Sequence, residues 1–157
     1  MIKLGDRAKD RISGFKGIVA GVTEWLYSSD RLIIQPEGME DGLPIENRCF
    51  DREQVVLIKQ GVIKDAVQFK QLDIERGDVV KDKVTGLKGV VVAITHWLYG
   101  CDRLMLQSEE GKDGKPTDPF SIDVKQAELV KKAKVKVEAP KPVVTGGPQN
   151  DAVACQR

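Results

Sequence analysis

Short apolar runs, bounded by glycine, proline and aspartate, recur along this chain. Ile18 to Trp25 is rich in β-branched residues, and Arg31-Leu32-Ile33-Ile34-Gln35 is a second such run, ended by Pro36. Both patterns predict strands. Gly21, inside the first run, predicts a bulge or bend. Leu4-Gly5-Asp6 reads as a turn into a short opening strand. Ile12 to Gly17, with glycines at 14 and 17, reads as a tight hairpin connection. Ser28-Ser29-Asp30 turns the chain, and Gly38 to Asn47 is a loop. Arg48 to Ile58 then closes the unit, with one helical turn at Asp51 to Gln54 before a last strand.

The whole pattern then repeats. Shifted by 72 residues, Ile2 to Ile58 lies on Ile74 to Val130 without a gap, and roughly two-fifths of the paired positions are identical. Thr23-Glu24-Trp25-Leu26-Tyr27-Ser28-Ser29-Asp30-Arg31-Leu32 returns as Thr95-His96-Trp97-Leu98-Tyr99-Gly100-Cys101-Asp102-Arg103-Leu104. This segment holds both tryptophans and both tyrosines of the chain. An ungapped repeat of this length implies one backbone used twice. Two copies of long period point to tandem domains, each with its own core, more than to a stacked solenoid.

Four or five short strands in about 60 residues suit a small, partly open barrel, which limits exposed edges. The expected fold is therefore all-β: two tandem SH3-like barrels, with the OB-fold as the second choice. The expected units are a first barrel over 1–58, a linker over 59–73, a second barrel over 74–130 and a tail over 131–157. The linker would be a short amphipathic helix or an extended strap. In the tail, lysines alternate with small residues before Pro140, Pro142, Gly146, Gly147 and Pro148. That composition predicts a flexible segment that can be removed without loss of stability.

Charge is abundant but balanced, with a formal net charge of +1. This argues against a general polyanion binder and leaves room for a local basic site. Cys49, Cys101 and Cys155 do not match between copies and form no CxxC pattern, so reduced thiols in a cytoplasmic protein are expected rather than a disulfide framework or a metal site. No apolar run approaches the length of a membrane span, and the N-terminus lacks a signal-peptide pattern. No membrane partner and no cofactor are expected.

The candidate chemistry lies in the repeated segment. If Trp25-Leu26-Tyr27 and Trp97-Leu98-Tyr99 continue their strands, Trp and Tyr share one face and Leu takes the other. Such a face suits stacking of a planar ligand, and equally the wall of a small barrel. Asp30-Arg31 and Asp102-Arg103 offer a planar guanidinium for phosphate or carboxylate, or an ion pair within their own copy. Gln35 and Gln107, at the strand ends, can add amide recognition. His96 is the only histidine, and its counterpart is Glu24. The glycines at 14, 17, 86 and 89 are turn glycines and not a phosphate loop, because no Lys-Ser/Thr pair and helix follow. No nucleophile, base and acid stand at a recognisable spacing, so an enzyme is not expected.

Gly77 to Val90, with Trp97-Leu98-Tyr99-Gly100-Cys101-Asp102-Arg103 and Asp113-Gly114-Lys115-Pro116, resembles a family of small, mostly uncharacterised β-barrel proteins of bacteriophages and prophages. The first copy is similar through Ile12 to Gly17, Leu26-Tyr27 and Phe50-Asp51, with Ser28-Ser29 in place of Gly-Cys. The resemblance covers both copies and not the tail. Small phage β-proteins of this size include sponges for the cyclic-nucleotide signals of host defence. The resemblance therefore implies a binding protein of the infected bacterial cytoplasm, able to form a homo-oligomer, whose partner is a cyclic nucleotide or another small anion. The alternative is a virion-associated or interaction module whose partner is a protein or nucleic acid.

Overall fold

The computed structural model describes residues 1–64, 73–108 and 117–133. The described residues are all-β, with no α-helix. The first copy contains β1 (Arg7–Asp10), β2 (Lys16–Trp25), β3 (Arg31–Gln35), a two-stranded hairpin of β4 (Met39–Glu40) and β5 (Leu43–Pro44), β6 (Arg48–Asp51) and β7 (Val55–Lys59). A 3-10 turn, Arg52–Gln54, joins β6 to β7. The second copy contains β8 (Val79–Asp82), β9 (Lys88–Trp97), β10 (Arg103–Gln107), β11 (Phe120–Asp123), a 3-10 turn at Val124–Gln126 and β12 (Ala127–Lys131).

Within the first copy the antiparallel order is β7-β1-β2-β3-β6, and the second copy repeats it as β12-β8-β9-β10-β11. The expected strands stand where the hydrophobic pattern put them, including the bulge, with register slipping between Val19 and Gly21; the expected loop Gly38 to Asn47 instead carries the β4–β5 hairpin, and β6 precedes the expected turn. Among the described residues β6 pairs only with β3 and β7 only with β1, and β11 only with β10 and β12 only with β8, so no hydrogen-bonded ring closes among them in either copy. The segment expected to be a linker begins within β7. At Gly61 its amide donates to Asp6 and at Ile63 to the Gly5 carbonyl; residues 65–72 lie outside the described set. Of the expected tail, only 131–133 are described. Lys131 still pairs with Val79, and the Ala133 amide donates to Asp78 at 2.8 Å.

The two copies share one ten-stranded sheet. The second half of β2 pairs antiparallel with the second half of β9, with Gly21 opposite Trp97, Thr23 opposite Thr95 and Trp25 opposite Ala93. Each of these pairs maps onto itself or another when the copies are exchanged. A pseudo-two-fold axis therefore passes between Thr23 and Thr95, whose hydroxyls lie 2.9 Å apart. The symmetry continues past the strands: the Leu26 amide donates to Val92, and the Leu98 amide to Ala20. Leu98 is buried in the core of the first copy, with Leu4, Ala8, Val19, Val22, Leu32 and Ile34. Leu26, 6% exposed, lies beside Gly77 of the second copy. The second core gathers Ile74, Val80, Val91, Ile94, Leu104, Leu106 and Ile122.

Glycines do two separate jobs. Gly14 and Gly86 have positive φ in matching turns, as a tight reversal requires. Gly17 and Gly89 are not turn residues: both are buried in the long strands. A Cβ on Gly17 would stand 2.2 Å from the Gln35 carbonyl oxygen, and one on Gly89 2.8 Å from that of Gln107. They are glycines because a neighbouring backbone occupies the side-chain space.

Buried aspartates fasten the turns. Asp10 accepts the Ser13 amide and hydroxyl, and Asp82 accepts the amides of Val84 and Thr85 and the Thr85 hydroxyl. The Ser13 hydroxyl and amide hold the Asp10 carboxyl below the ordinary value of 3.8, and the Thr85 hydroxyl and Val84 amide do the same for Asp82. Burial pushes Asp78 up. The Glu75 and Ala133 amides and the Lys132 ammonium together outweigh it and leave Asp78 low as well. A carboxyl held below its unfolded value stabilises the fold above that value, and the contribution fades as pH falls through the folded value. Melting temperature should therefore hold between about pH 7 and pH 5 and then fall in acid, starting near 3.8. Asp82→Asn should start lower and show a shallower acid decline. A wild-type midpoint unchanged down to about pH 2 would contradict this account.

Candidate functional site

At the joint, five successive pairings align six strands as β6-β3-β2-β9-β10-β11. Val22, Leu32, Ile94 and Leu104 point from this platform into the two cores. The opposite face carries the alternate residues. Across its middle runs one row in register: Asp51, Arg31, Thr23, Thr95, Arg103 and Asp123. Directly opposed residues of an antiparallel pair share a face. The row is thus a polar stripe centred on the pseudo-two-fold axis, buried at Thr23 and half-exposed at the arginines and aspartates.

Trp25 and Trp97 belong to the same face, two positions along from Thr23 and Thr95. Each is opposed by a small residue, Ala93 or Gly21. A Cβ on Gly21 would already be 3.3 Å from the Trp97 ring. Both indoles are half-buried. The Arg31 guanidinium carbon lies 5.8 Å from the centre of the Trp25 ring, within cation–π range. The buried indole N–H of Trp25 has no acceptor among the described residues.

The arginines pair outward along the row. Arg31 Nε donates to Asp51 at 3.0 Å, and Arg103 Nε donates to Asp123 at 3.2 Å. Both pairs are about half exposed, with side-chain exposures of 47% and 51%, and 59% and 45%. Exposed pairs of this kind are worth roughly 0–1 kcal/mol, so a ligand anion can compete for either guanidinium.

The remaining candidates lie elsewhere. The strands end at Trp25 and Trp97, and it is Leu26 and Leu98 that turn into the protein. Tyr27 and Tyr99 sit beyond the strand ends, 80% and 66% exposed. Gln35 donates its amide to the Ile45 carbonyl and Gln107 to that of Thr117, matching clamps at the base of the β3–β6 and β10–β11 connections. His96 is buried opposite Val22, on the core side of the platform, with Nδ1 3.0 Å from Asp102. Asp30 lies 3.5 Å from Arg52 and 3.9 Å from Arg76. Arg76 also donates to the Trp25 carbonyl at 2.8 Å and lies 3.6 Å from Glu24. Asp30 therefore pairs across the joint with Arg76, whereas Asp102 pairs with His96 of its own copy. Thr23 and Thr95 escaped the sequence reading. Their signal was present: a repeated Thr two residues before each Trp, with a small residue two positions earlier still.

Cys49 and Cys101 are free and exposed. No cluster of three or more metal-ligating side chains occurs among the described residues. No helix among them is long and apolar enough to cross a membrane. No family model, curated protein or solved structure matches this chain.

Proposed function

We propose that this is a non-enzymatic, phage-type binding protein that sequesters a cyclic-nucleotide signal in the cytoplasm of an infected bacterium. The observation that carries the reading is the face outside the cores. There two half-buried indoles stand beside two half-exposed arginines, and one arginine lies 5.8 Å from its indole. Indoles stack nucleobases, at about 1–3 kcal/mol per base, and guanidinium groups take phosphates in planar, two-pronged geometry. The residues that resemble the phage family supply the same segment. The finer fold reading, two SH3-like units, is supported by the five-strand order and the 3-10 turn before the last strand in each copy.

An interaction module is the second reading. It is favoured by the β4–β5 hairpin, which holds Met39 and Leu43 at 75% and 69% exposure. A thermal-shift panel separates the two. A nucleotide bound only by the native state at about 100 times its Kd adds ~2.7 kcal/mol, a rise of several degrees. A rise with cyclic nucleotides, and none with unrelated anions, is expected. Unchanged melting with every nucleotide would remove the sponge reading and leave the interaction module.

A further inference from the structure

The pseudo-two-fold axis runs through the middle of the proposed face. We infer that the two copies build one composite site for a ligand that is itself two-fold symmetric and carries two anionic groups, a cyclic dinucleotide, bound one per chain. This deepens the sponge reading and rests on it.

Three observations support a single site. The row Arg31, Thr23, Thr95, Arg103 is unbroken across four paired strands, and the Thr23 and Thr95 hydroxyls touch at the axis. Arg31 and Arg103 are separated by three strand spacings, about 14 Å at roughly 4.8 Å each. Both arginine side chains are long enough to turn inward from their outer aspartates towards the axis. Finally, each tryptophan is set at the joint itself: Trp97 of the second copy lies on Gly21 of the first, and Trp25 is opposed by Ala93.

Symmetry then selects the ligand. An exchange of copies carries Trp25 to Trp97, Thr23 to Thr95 and Arg31 to Arg103. A ligand with one base and one phosphate could satisfy only half of this set. A cyclic dinucleotide offers two bases and two phosphates related by its own two-fold. Placed on the axis, it can give each indole a base and each guanidinium a phosphate. The mutually bonded hydroxyls of Thr23, which is 7% exposed, and Thr95 mark the axis below it. A nucleic-acid strand has repeating phosphates but no such two-fold, and matches the face less well.

Calorimetry with cyclic di-AMP and cyclic di-GMP tests this, with 3′,5′-cyclic AMP as the half-ligand. One site per chain is expected for at least one cyclic dinucleotide, with affinity at least a hundredfold above cyclic AMP. Arg31→Lys and Arg103→Lys keep the charge but lose the fork, and each should weaken binding about tenfold and to a similar degree. Melting curves of both variants check that they fold. Two equivalent sites per chain, or equal binding of cyclic AMP, would overturn the composite site while leaving nucleotide sequestration intact. A loss confined to one arginine would also overturn it. Binding of single-stranded DNA alone, weakening steeply with salt, would overturn it in favour of a nucleic-acid face. Failure of every nucleotide to bind would remove both this inference and the reading beneath it.

Discussion

Leu98→Ala should lower stability by about 2–5 kcal/mol, the cost of removing a buried leucine from a packed site. The distinctive result is where the loss falls. Leu98 belongs to the second copy by sequence, yet it is buried among Leu4, Val22, Leu32 and Ile34 of the first. Hydrogen exchange should therefore speed up in β1 and β3 as well as at the joint, because their shared core loses a member from outside the copy. Leu26→Ala should loosen the second copy beside Gly77 in the reciprocal way. If Leu98→Ala leaves the exchange of β1 and β3 unchanged, the copies do not depend on each other through this residue.

Gly17→Ala should be among the most damaging single-methyl changes in the protein. The new Cβ would stand 2.2 Å from the Gln35 oxygen and 2.8 Å from the Pro36 Cα, both backbone atoms. No side chain can swing away to relieve the clash, so β2 and β3 must separate. Overpacking of this sort costs typically 1–3 kcal/mol, and more when backbone must move, so a loss of ~3 kcal/mol or more is expected. Gly89→Ala meets its nearest backbone atom at 2.8 Å and should be milder. Gly42→Ala is the control: its φ is +78° but nothing among the described residues lies within 4 Å, so only the modest cost of a left-handed alanine applies. Urea midpoints of the three variants should fall in that order of damage. A Gly17→Ala protein as stable as Gly42→Ala would overturn the close-approach account.

Several features were open to sequence reasoning for local reasons. The apolar, β-branched run Arg31 to Gln35, closed by Pro36, marked a strand because such side chains suit extended backbone. Gly21 marked its bulge, and Asp51 to Gln54 marked the turn between β6 and β7, from composition alone. The 72-residue repeat carried further: it required that whatever the first copy formed, the second would form too. It also drew attention to Trp25, Trp97, Arg31 and Arg103, the four candidates that share the outer face.

Only the tertiary structure decided how the copies meet. The pairing of β2 with β9 joins residues 72 positions apart at Thr23 and Thr95. No local pattern distinguishes that pairing from two separate domains on a linker. The edge pairing continues to the Leu26 and Leu98 amides, and that is what turns those leucines inward and leaves Tyr27 and Tyr99 in solvent. It also places the arginines of two distant segments in one row. The roles of Gly17, Gln35 and Asp30 were hidden for the same reason. A glycine in a turn and a glycine under a carbonyl read alike in a sequence, and an amide or carboxylate does not announce its partner. The repeat and the positions of the long strands were legible along the chain because they depend on local composition and periodicity; the expected shared face of Trp and Tyr was not, because each strand ends at its Trp. The axis, and with it the composite face, came from long-range hydrogen bonding between strand edges.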